Sequence, residues 1–481
     1  MALVAQLRDG ERELKERRKV QQACLAPVRK LPTEILSIIF KMYCGDGVVD
    51  ISQKRCPPLK LSAVCKVWRN TMLGMHSLWN TFEFPYIHEV ETRVILTRLR
   101  AFLDYSGDLP LQHCVRYDLN TLRGRSNKRT RPLELLLEHA HRWTDIRFVP
   151  SYGRVSDDQR EMLRKLEGRQ LSRLRKLDGN VGVLAACNTI GILTGLTSLR
   201  SVTMHGALHH LERMTGTLDL PWEQIEELDT LLPCEYALAY LQRCPNLVAW
   251  SYQDSSQRAE LEVHPPASSL VLPRLQKLSI HIKLSADTAI LHSITTPALE
   301  ELSLLFSPRL NSDWDHLSVS GFTSLLARSS CHLRCLFLLY APRGILDALY
   351  GPSLQGLTTL GIRADNDAPL TKAFIGSLCI AHTDGTPRLL PLLENLELRE
   401  EPQGFKASTL VTMAEARRAM GRPLKRFLLD AVLMGMSDFD LFDTLATDDH
   451  LVDIQVQQIG SEKIGLFYNV RVWRLLYMDC I

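Results

Sequence analysis

The feature that most constrains the fold of this 481-residue chain is a short apolar pattern that recurs from residue 199 onward. Each copy has the form apolar-x-x-apolar-x-apolar, with Thr230 as a polar exception, and successive copies start between 22 and 36 residues apart. Residues two apart lie on one side of a strand, so each copy predicts one short strand with a buried face. The nine copies are Leu199-Val202-Met204, Ile225-Leu228-Thr230, Leu247-Trp250-Tyr252, Leu275-Leu278-Ile280, Leu299-Leu302-Leu304, Leu333-Leu336-Leu338, Leu357-Leu360-Ile362, Leu393-Leu396-Leu398 and Leu424-Phe427-Leu429.

The spacing of these copies resembles that of leucine-rich repeats, in which each unit leaves an apolar edge that its neighbour covers. The Asn or Cys that this family places three residues after the last apolar position is absent from all nine copies. A ladder of Asn side chains that satisfies loop carbonyls therefore cannot form. We predict an α/β protein whose larger part is an irregular leucine-rich-repeat-type solenoid, a horseshoe held by stacked strands and apolar packing.

Further strands are predicted on either side of the nine copies. Residues 111–117 and the alternating Trp143, Ile146 and Phe148 predict two strands before the array, each preceded by a helix. The tail from Leu451 alternates apolar and polar residues. It supplies the last strands or caps the open end against edge pairing, and we favour the cap.

Residues 31–84 predict a pair of helices with more apolar surface than they can share. Pro32 suits a first helical turn, and Glu34 places a carboxylate near the positive end of the helix dipole. The first helix carries one stripe of Ile35, Ile38, Ile39 and Met42 and a second of Leu36, Phe40 and Tyr43. A second helix is predicted over residues 59–74, with one stripe of Leu61, Val64, Cys65, Trp68 and Met72. Because a pair of helices of this size buries little surface, its remaining apolar face must be covered by another part of this chain or by a partner.

This segment resembles the F-box, a helical module with an ordered pattern of apolar and aromatic positions. The matching residues are Leu31, Pro32, Glu34, Leu36, Ile39, Phe40, Leu61, Val64, Cys65, Lys66, Trp68, Arg69, Leu78 and Trp79. The departure from the family pattern is the long connection from Cys44 to Pro58, and a loop insert there resembles fungal members of the family. Loop closure entropy grows slowly with length, so such an insert is tolerable.

The resemblance implies that the module docks onto the Skp-type adaptor of a Skp, cullin and F-box ubiquitin ligase. The repeat array would then capture a target protein for ubiquitylation, and catalysis would belong to the partners. The residues that the resemblance assigns to the adaptor contact are Leu31, Pro32, Ile35, Leu36, Ile39, Leu61, Val64, Cys65 and Trp68.

Composition excludes several other classes. A net charge of +3 from 57 basic and 54 acidic residues gives no global case for binding nucleic acid or an anionic membrane. Residues 123–131 form the one strongly basic run that we single out, and such a run is typical of a nuclear-localisation or phosphate-contacting patch. We favour a solvated loop, because no aromatic residues are interleaved with the basic ones. Twelve cysteines without C-x-x-C pairs, no secretory signal and no apolar run of membrane-spanning length favour the cytoplasm or nucleus.

Specific catalytic and metal motifs are missing, so we expect no enzyme, cofactor or metal site. The sequence has no P-loop, nucleophile elbow or H-E-x-x-H motif. Cys331 and Cys335 lie beside His332 within one repeat, where the second cysteine falls on a predicted strand and converges poorly with the first. We interpret the remaining candidates as solvated or locally bonded polar residues: His139, His141, His209, His210, Asp438, Asp440, Asp448, Asp449 and His450.

We therefore predict three parts: a charged N-terminal helix within residues 1–27, an F-box-like helical domain at 28–84, and the repeat array with its C-terminal cap at 85–481. In the first part, Glu11 with Lys15 and Glu13 with Arg17 are expected to form i, i+4 ion pairs. The predicted function is substrate recognition for a ubiquitin ligase. The alternative is a protein-binding repeat scaffold in which the F-box-like hairpin only caps the N-terminal end of the array.

Overall fold

The structure is a computed structural model that describes most of the chain in separate ranges. These are residues 10–15, 17–18, 30–45, 48–51, 56–83, 92–112, 115–118, 131–149, 155, 157–206, 218–255, 269–283, 288–307, 315–341, 343–363, 372–399, 407–430 and 453–457. The chain divides into two compact units, Met1–Ile225 and Glu226–Ile481. The predicted boundaries at residues 27–28 and 84–85 stay predictions.

The first unit begins with short helices and continues with strands that alternate with helices. Its elements are α1 Thr33–Cys44, β1 Val49–Asp50, α2 Pro57–Ser62, α3 Lys66–Gly74, β2 Phe82–Glu83, α4 Thr92–Tyr105, β3 Val115–Asp118, α5 Arg131–Glu138, β4 Asp145–Val149, α6 Asp157–Arg164, β5 Lys176–Asn180, α7 Val181–Thr189 and β6 Ser201–His205. The unit also contains short 3-10 turns, at His76–Leu78, Ala140–Arg142 and Trp222–Gln224.

The second unit repeats a strand followed by a return segment, which is often helical. Its elements are β7 Glu227–Leu231, α8 Cys234–Leu241, β8 Ala249–Gln253, β9 Leu270–Val271, β10 Lys277–Ile282, α9 Ala289–Ser293, β11 Ile294–Thr295, β12 Glu301–Phe306, α10 Asp315–Ser329, β13 Cys335–Leu339, α11 Arg343–Ala348, β14 Thr359–Arg363, α12 Lys372–Ser377, β15 Asn395–Arg399, α13 Ala407–Ala419, β16 Arg426–Asp430 and β17 Asp453–Gln457.

Parallel pairing joins these strands, which confirms a mixed α/β protein with a large parallel sheet. In the first unit the order is β3-β4-β5-β6, and in the second it is β7-β8-β10-β12-β13-β14-β15-β16-β17. The register places equivalent apolar residues of neighbouring strands side by side. Leu278 of β10, for example, pairs with Trp250 of β8 and with Leu302 of β12. All nine apolar patterns fall on strands, with their second and third members at the second and fourth strand positions. Every one of these residues whose burial is described is buried.

Main-chain hydrogen bonds tie successive repeats together where an Asn ladder is absent. The carbonyl of Thr144 accepts the N–H groups of Arg175 at 2.7 Å and Lys176 at 2.9 Å, and the carbonyl of Arg175 accepts those of Arg200 and Ser201. The same doubly accepting carbonyl recurs in the second unit at Glu226, Val248, Gln276, Glu300, Arg334, Thr358 and Glu394. The repeats are therefore linked without help from side-chain amides.

Three arginines satisfy further carbonyls from inside the repeats. The guanidinium group of Arg417 is fully buried, and its Nη2 donates to the carbonyls of Leu390 at 3.0 Å and Leu393 at 3.2 Å. Arg328 donates to the carbonyl of Leu291 at 2.6 Å and Arg142 to that of Leu109 at 3.0 Å. Several donors in one rigid plane suit arginine to this task. Sequence reasoning missed these residues, because an arginine in a helix predicts a solvated face.

Several local predictions are confirmed and others are corrected. The ion pairs Glu11 to Lys15 and Glu13 to Arg17 form at 2.6 and 2.7 Å. The strand predicted over 111–117 is instead two isolated bridges, Leu111 to Trp143 and Gln112 to Thr81, followed by β3. Strand β5 was missed because Gly179 replaces the third apolar residue of the pattern.

At the C-terminal tail, the described residues 453–457 extend the sheet as β17. This agrees with the strand alternative that we did not favour. The rest of the tail lies outside the described residues, so a cap there stays a prediction.

Candidate partner-binding surface

Helix α1 begins one residue later than predicted. One of its two apolar sides is buried and the other is exposed. Pro32 is the residue before the first turn, and its carbonyl accepts the N–H of Leu36 at 3.1 Å. Leu36 and Phe40 are buried in the module, with Leu36 only 1% exposed. The other apolar residues face outward, and we call them the α1 face: Ile35, Ile38, Ile39, Met42 and Tyr43.

The α1 face is a wide stripe rather than a few scattered side chains. At about 100° per residue its five members span an arc of roughly 140°. Ile38 is 57% exposed and Met42 is 78% exposed, so neither is covered by the described residues. Two valines of the next elements are also open, Val64 at 59% and Val67 at 55%. Exposed apolar residues concentrated on one helix indicate an interaction surface, whereas single exposed ones need no explanation.

The second predicted helix is divided into α2 and α3, which corrects the single helix predicted over 59–74. The chain turns at Ala63 and Val64, and Cys65 adopts an extended conformation with φ −158° and ψ 172°. The Cys65 sulfur then accepts the N–H of Trp68 at 3.5 Å and caps α3. A weak sulfur acceptor thus does what a Ser or Asp does at other helix starts. The division changes which residues of the predicted stripe share a face.

Aromatic packing fixes α3 against α1. The rings of Phe40 and Trp68 meet edge to face, with 4.9 Å between their centroids. Such pairs add about 0.5–1.5 kcal/mol beyond the area that they bury. Arg69 supports the turn between α2 and α3, because its Nε donates to the carbonyl of Ser62 at 3.0 Å. These contacts hold α1 in a fixed position with its outer side exposed.

The nine predicted contact residues fall into three groups in the structure. Exposed residues are Pro32, Ile35, Ile39 and Val64. Half-buried residues are Leu31, Cys65 and Trp68. Leu36 and Leu61 are buried inside the module, so a partner that binds the present structure does not reach them. The structure adds Ile38, Met42, Tyr43 and Val67, which the family pattern did not single out, although the apolar stripes of the sequence contained the first three.

The insert between the helices is anchored to the first unit where it is described. Val49 and Asp50 pair as a parallel strand with Phe82 and Glu83. Ile51 is fully buried, and its carbonyl accepts Nη1 of Arg98 from helix α4 at 2.8 Å.

The side of the module formed by residues 76–83 packs against the first elements of the repeats. Trp79 is fully buried, donates from Nε1 to the carbonyl of Met72 at 2.8 Å, and meets Phe102 of α4 edge to face at 5.0 Å. Asn80 donates to the carbonyl of Pro110 at 2.8 Å. The module is thus fixed to the array through residues that differ from the α1 face.

The other candidate residues do not assemble a reactive site in the described part of the chain. Among the described residues, no group of three or more His, Cys, Asp or Glu side chains is placed to hold a metal ion. Burial raises the pKa of the Cys331 and Cys335 thiols, which keeps both protonated and poorly reactive. The rings of His139 and His141 stack at 6.5 Å, and burial beside Arg142 lowers the pKa of His139. The candidates at 209–210, 438–440 and 448–450 lie outside the described residues.

The described residues contain no membrane-crossing helix and only one residue of the basic run. None of the helices that the structure describes combines the length and the apolar content needed to cross a membrane. The basic run at 123–131 lies outside the described residues, except for Arg131 at the start of α5.

Comparison with known proteins identifies no family for this chain. No protein-family model and no curated protein matches the sequence. Among solved structures, one match is described as "Crystal structure of TLR13-ssRNA13 complex", with 15% sequence identity and a TM-score of 0.35. The aligned region covers 74% of this chain and 42% of that chain, so this chain spans less than half of its length. A likeness at this level assigns neither a family nor a ligand to this chain.

Proposed function

We propose that this protein is the substrate-recognition adaptor of a Skp/cullin/F-box-type ubiquitin ligase. The single observation that carries the proposal is the α1 face, an apolar surface on the segment that resembles the F-box. In this proposal the face binds the Skp-type adaptor, and a cullin joins through that adaptor. The parallel repeats form an irregular leucine-rich-repeat-type array that binds the target protein, and no cofactor is required of this chain.

The α1 face has enough exposed apolar surface to support such an interaction. Burying one side chain of this size contributes about 1.5–3 kcal/mol, so five together give on the order of 10 kcal/mol in gross terms. Association costs at least about 4 kcal/mol in lost freedom of motion. The remaining free energy favours binding only if the partner packs closely against Met42, Tyr43 and Ile38, the three most exposed members of the face.

The buried residues of the proposed site act by positioning the face. Leu36 and Phe40 fill the space between α1 and the following helices, and Leu61 lies buried on α2. Cys65 caps α3, which holds Trp68 against Phe40. Substituting these residues removes the support of the face, whereas substituting Ile35 or Ile39 removes the face itself.

The proposal is tested by co-purification of the full chain with a Skp-type adaptor. The double variant Ile35→Asp with Ile39→Asp places two charges on the α1 face, and we expect it to lose the adaptor. The matched control is Val271→Asp with Ile380→Asp, which changes two exposed apolar residues of the second unit. Both double variants are expected to unfold at the wild-type midpoint. Undiminished adaptor recovery with the first variant would contradict the proposal.

The alternative is a protein-binding repeat scaffold in which residues 28–84 serve only as the N-terminal cap. The packing of Trp79 on Phe102 and the hydrogen bond from Asn80 to Pro110 favour a capping role. A cap and an adaptor surface use different sides of the module, so limited proteolysis does not separate the two functions. Adaptor binding by the wild-type chain does separate them, because a cap alone provides no binding.

A further inference from the structure

A second surface, in the first unit, carries positive charge along the edge where strands β5 and β6 begin. We call it the basic edge and define it by Arg169, Arg173, Arg175, Lys176 and Arg200. The first four are exposed and Arg200 is half-buried. Residues 164–176 contain six basic residues and one acidic residue, Glu167. Two of the six, Arg164 and Lys165, pair with Glu161 and Glu134, and the other four belong to the basic edge.

The fold holds these cations in place. Leu166, Leu171 and Leu174 are buried beneath the segment and anchor it between α6 and β5. The carbonyl of Thr144 accepts the N–H groups of Arg175 and Lys176, and the carbonyl of Arg175 accepts that of Arg200 at 2.9 Å. Arg175 and Arg200 therefore occupy equivalent positions just before adjacent strands, which lie about 4.8 Å apart.

Most of the charge of the basic edge has no carboxylate partner among the described residues. Arg200 donates from Nη1 to the carbonyls of Leu199 at 2.9 Å and Thr197 at 3.3 Å. In the part of the chain that the structure describes, the side chains of Arg169, Arg175 and Lys176 form no ion pair or hydrogen bond. Arg173 donates to the carbonyl of Asp108 at 3.3 Å, which leaves its charge without a carboxylate. Asp145 pairs in register with Lys176, but its carboxylate accepts a hydrogen bond from Thr144 at 2.9 Å.

Equivalent lysines of the second unit behave differently and provide an internal comparison. Lys277 also lies at the first position of its strand, and it pairs with Glu301 of the next strand at 3.1 Å. Lys425 precedes its strand, as Arg175 does, and it pairs with Glu394 of the preceding repeat at 2.7 Å. Acidic neighbours therefore neutralise these two lysines of the second unit, whereas Arg175 and Lys176 have no such ion pair among the described residues.

We infer that the basic edge binds an acidic segment of a protein, one that carries carboxylate or phosphate groups. Arginine forms paired hydrogen bonds to either group, and the exposed Arg169, Arg173 and Arg175 offer three guanidinium groups for this contact. Among the described residues of the first unit, the exposed large aromatic is Tyr43, and it lies on α1. Single-stranded nucleic acid is bound by stacking its bases on aromatic side chains, so the edge fits an acidic peptide better.

The inference rests on the proposed function only in that the segment would belong to a captured target. The two can fail separately, because adaptor recovery depends on the α1 face and peptide binding depends on the basic edge. A chain that binds the adaptor but no acidic peptide would contradict only the inference. A chain that binds the peptide but no adaptor would contradict only the proposed function.

The test measures fluorescence anisotropy of a labelled Glu-rich peptide with the full-length chain. The variant is Arg175→Gln with Lys176→Gln, and the control is Lys277→Gln with Lys425→Gln, which removes the same charge from paired positions. We expect the variant to bind at least about fivefold more weakly than wild type, and we expect added salt to narrow the difference. The control is expected to bind as wild type does. If the double variant unfolds, Arg169→Gln replaces it, because that exposed side chain has no described partner.

Two further probes decide the source of the anionic groups. The same peptide with phosphoserines identifies a phosphate-bearing segment if it binds more tightly, and a carboxylate-bearing segment if it does not. An RNA oligonucleotide of equal charge tests the other class of partner. The inference is overturned if the wild-type chain binds neither peptide, if variant and control lose affinity equally, or if the RNA binds more tightly than both peptides.

Discussion

A close approach between strands β13 and β14 leads to a prediction that can be measured in a double-mutant cycle. Phe337 and Gly361 are paired in register on the two strands. A Cβ atom built on Gly361 would lie 2.4 Å from Cδ1 of Phe337 and 3.0 Å from Cε1. Phe337 is buried, so its ring has little room to move away. Gly361→Ala should therefore overpack the site and destabilise the fold by about 1–3 kcal/mol.

The cycle separates this overpacking from any intrinsic effect of alanine in the strand. Gly361 is not among the glycines with positive φ, so its backbone accepts an L side chain. Once Phe337→Ala has removed the ring, alanine at 361 meets no clash and has higher strand propensity than glycine. We expect Gly361→Ala in that background to be neutral or to stabilise by about 0.5–1 kcal/mol. The coupling between the two positions should then be roughly 2–3 kcal/mol.

The assay is urea denaturation of the full-length wild type, both single variants and the double variant, followed by far-ultraviolet circular dichroism. Gly376→Ala is the control, because this exposed glycine of helix α12 has no atom within 4 Å of its built Cβ. That substitution should raise stability by about 0.5–1 kcal/mol. If Gly361→Ala costs the same free energy with and without the Phe337 ring, the packing argument is wrong.

Three further predictions address burial of polar and aromatic groups. Burial, with repulsion from Lys283, lowers the pKa of His281 from 6.5 to about 4. Between these pH values the unfolded state binds more protons than the folded state. The free energy of unfolding should therefore fall by roughly 3 kcal/mol as pH drops from 6.5 to 4. In the His281→Gln variant, the same acid titration should show a smaller fall. Trp79→Ala should destabilise the folded state by about 3–5 kcal/mol and make the chain near residue 84 easier to cleave by proteases. Unchanged digestion would argue that the Trp79–Phe102 contact does not fix the module to the array. Arg417→Met leaves buried carbonyls without donors and should cost about 3 kcal/mol in thermal or urea unfolding, more than Arg418→Met on the same helix.

Much of the repeat architecture was predictable because it depends on local periodicity. The nine apolar patterns locate nine strands, since alternation along a strand and the helical return between strands are properties of short segments. Strand β5 escaped prediction because Gly179 interrupts the apolar pattern. Its space is occupied by Leu184, whose Cδ2 would lie 3.2 Å from a Cβ at that position.

The buried arginines were not predictable for a different reason. Arg417 lies beside Arg418 in the last turn of α13, where two adjacent arginines indicate a solvated face, yet its guanidinium group reaches the carbonyls of Leu390 and Leu393. Whether a carbonyl lacks a partner depends on the path of the chain between repeats. That path is a tertiary property, and no spacing within the helix reports it.

The candidate docking surface shows the same division between local and tertiary information. The sequence by itself determined that residues 33–44 form a helix with more apolar positions than one small core can bury. Only the tertiary structure decided that Leu36 and Phe40 point inward while Ile35, Ile38 and Ile39 stay open. The physical reason is that the choice between two apolar sides of a helix depends on what packs against it. Here the turn at Cys65 and the ring of Trp68 made that choice.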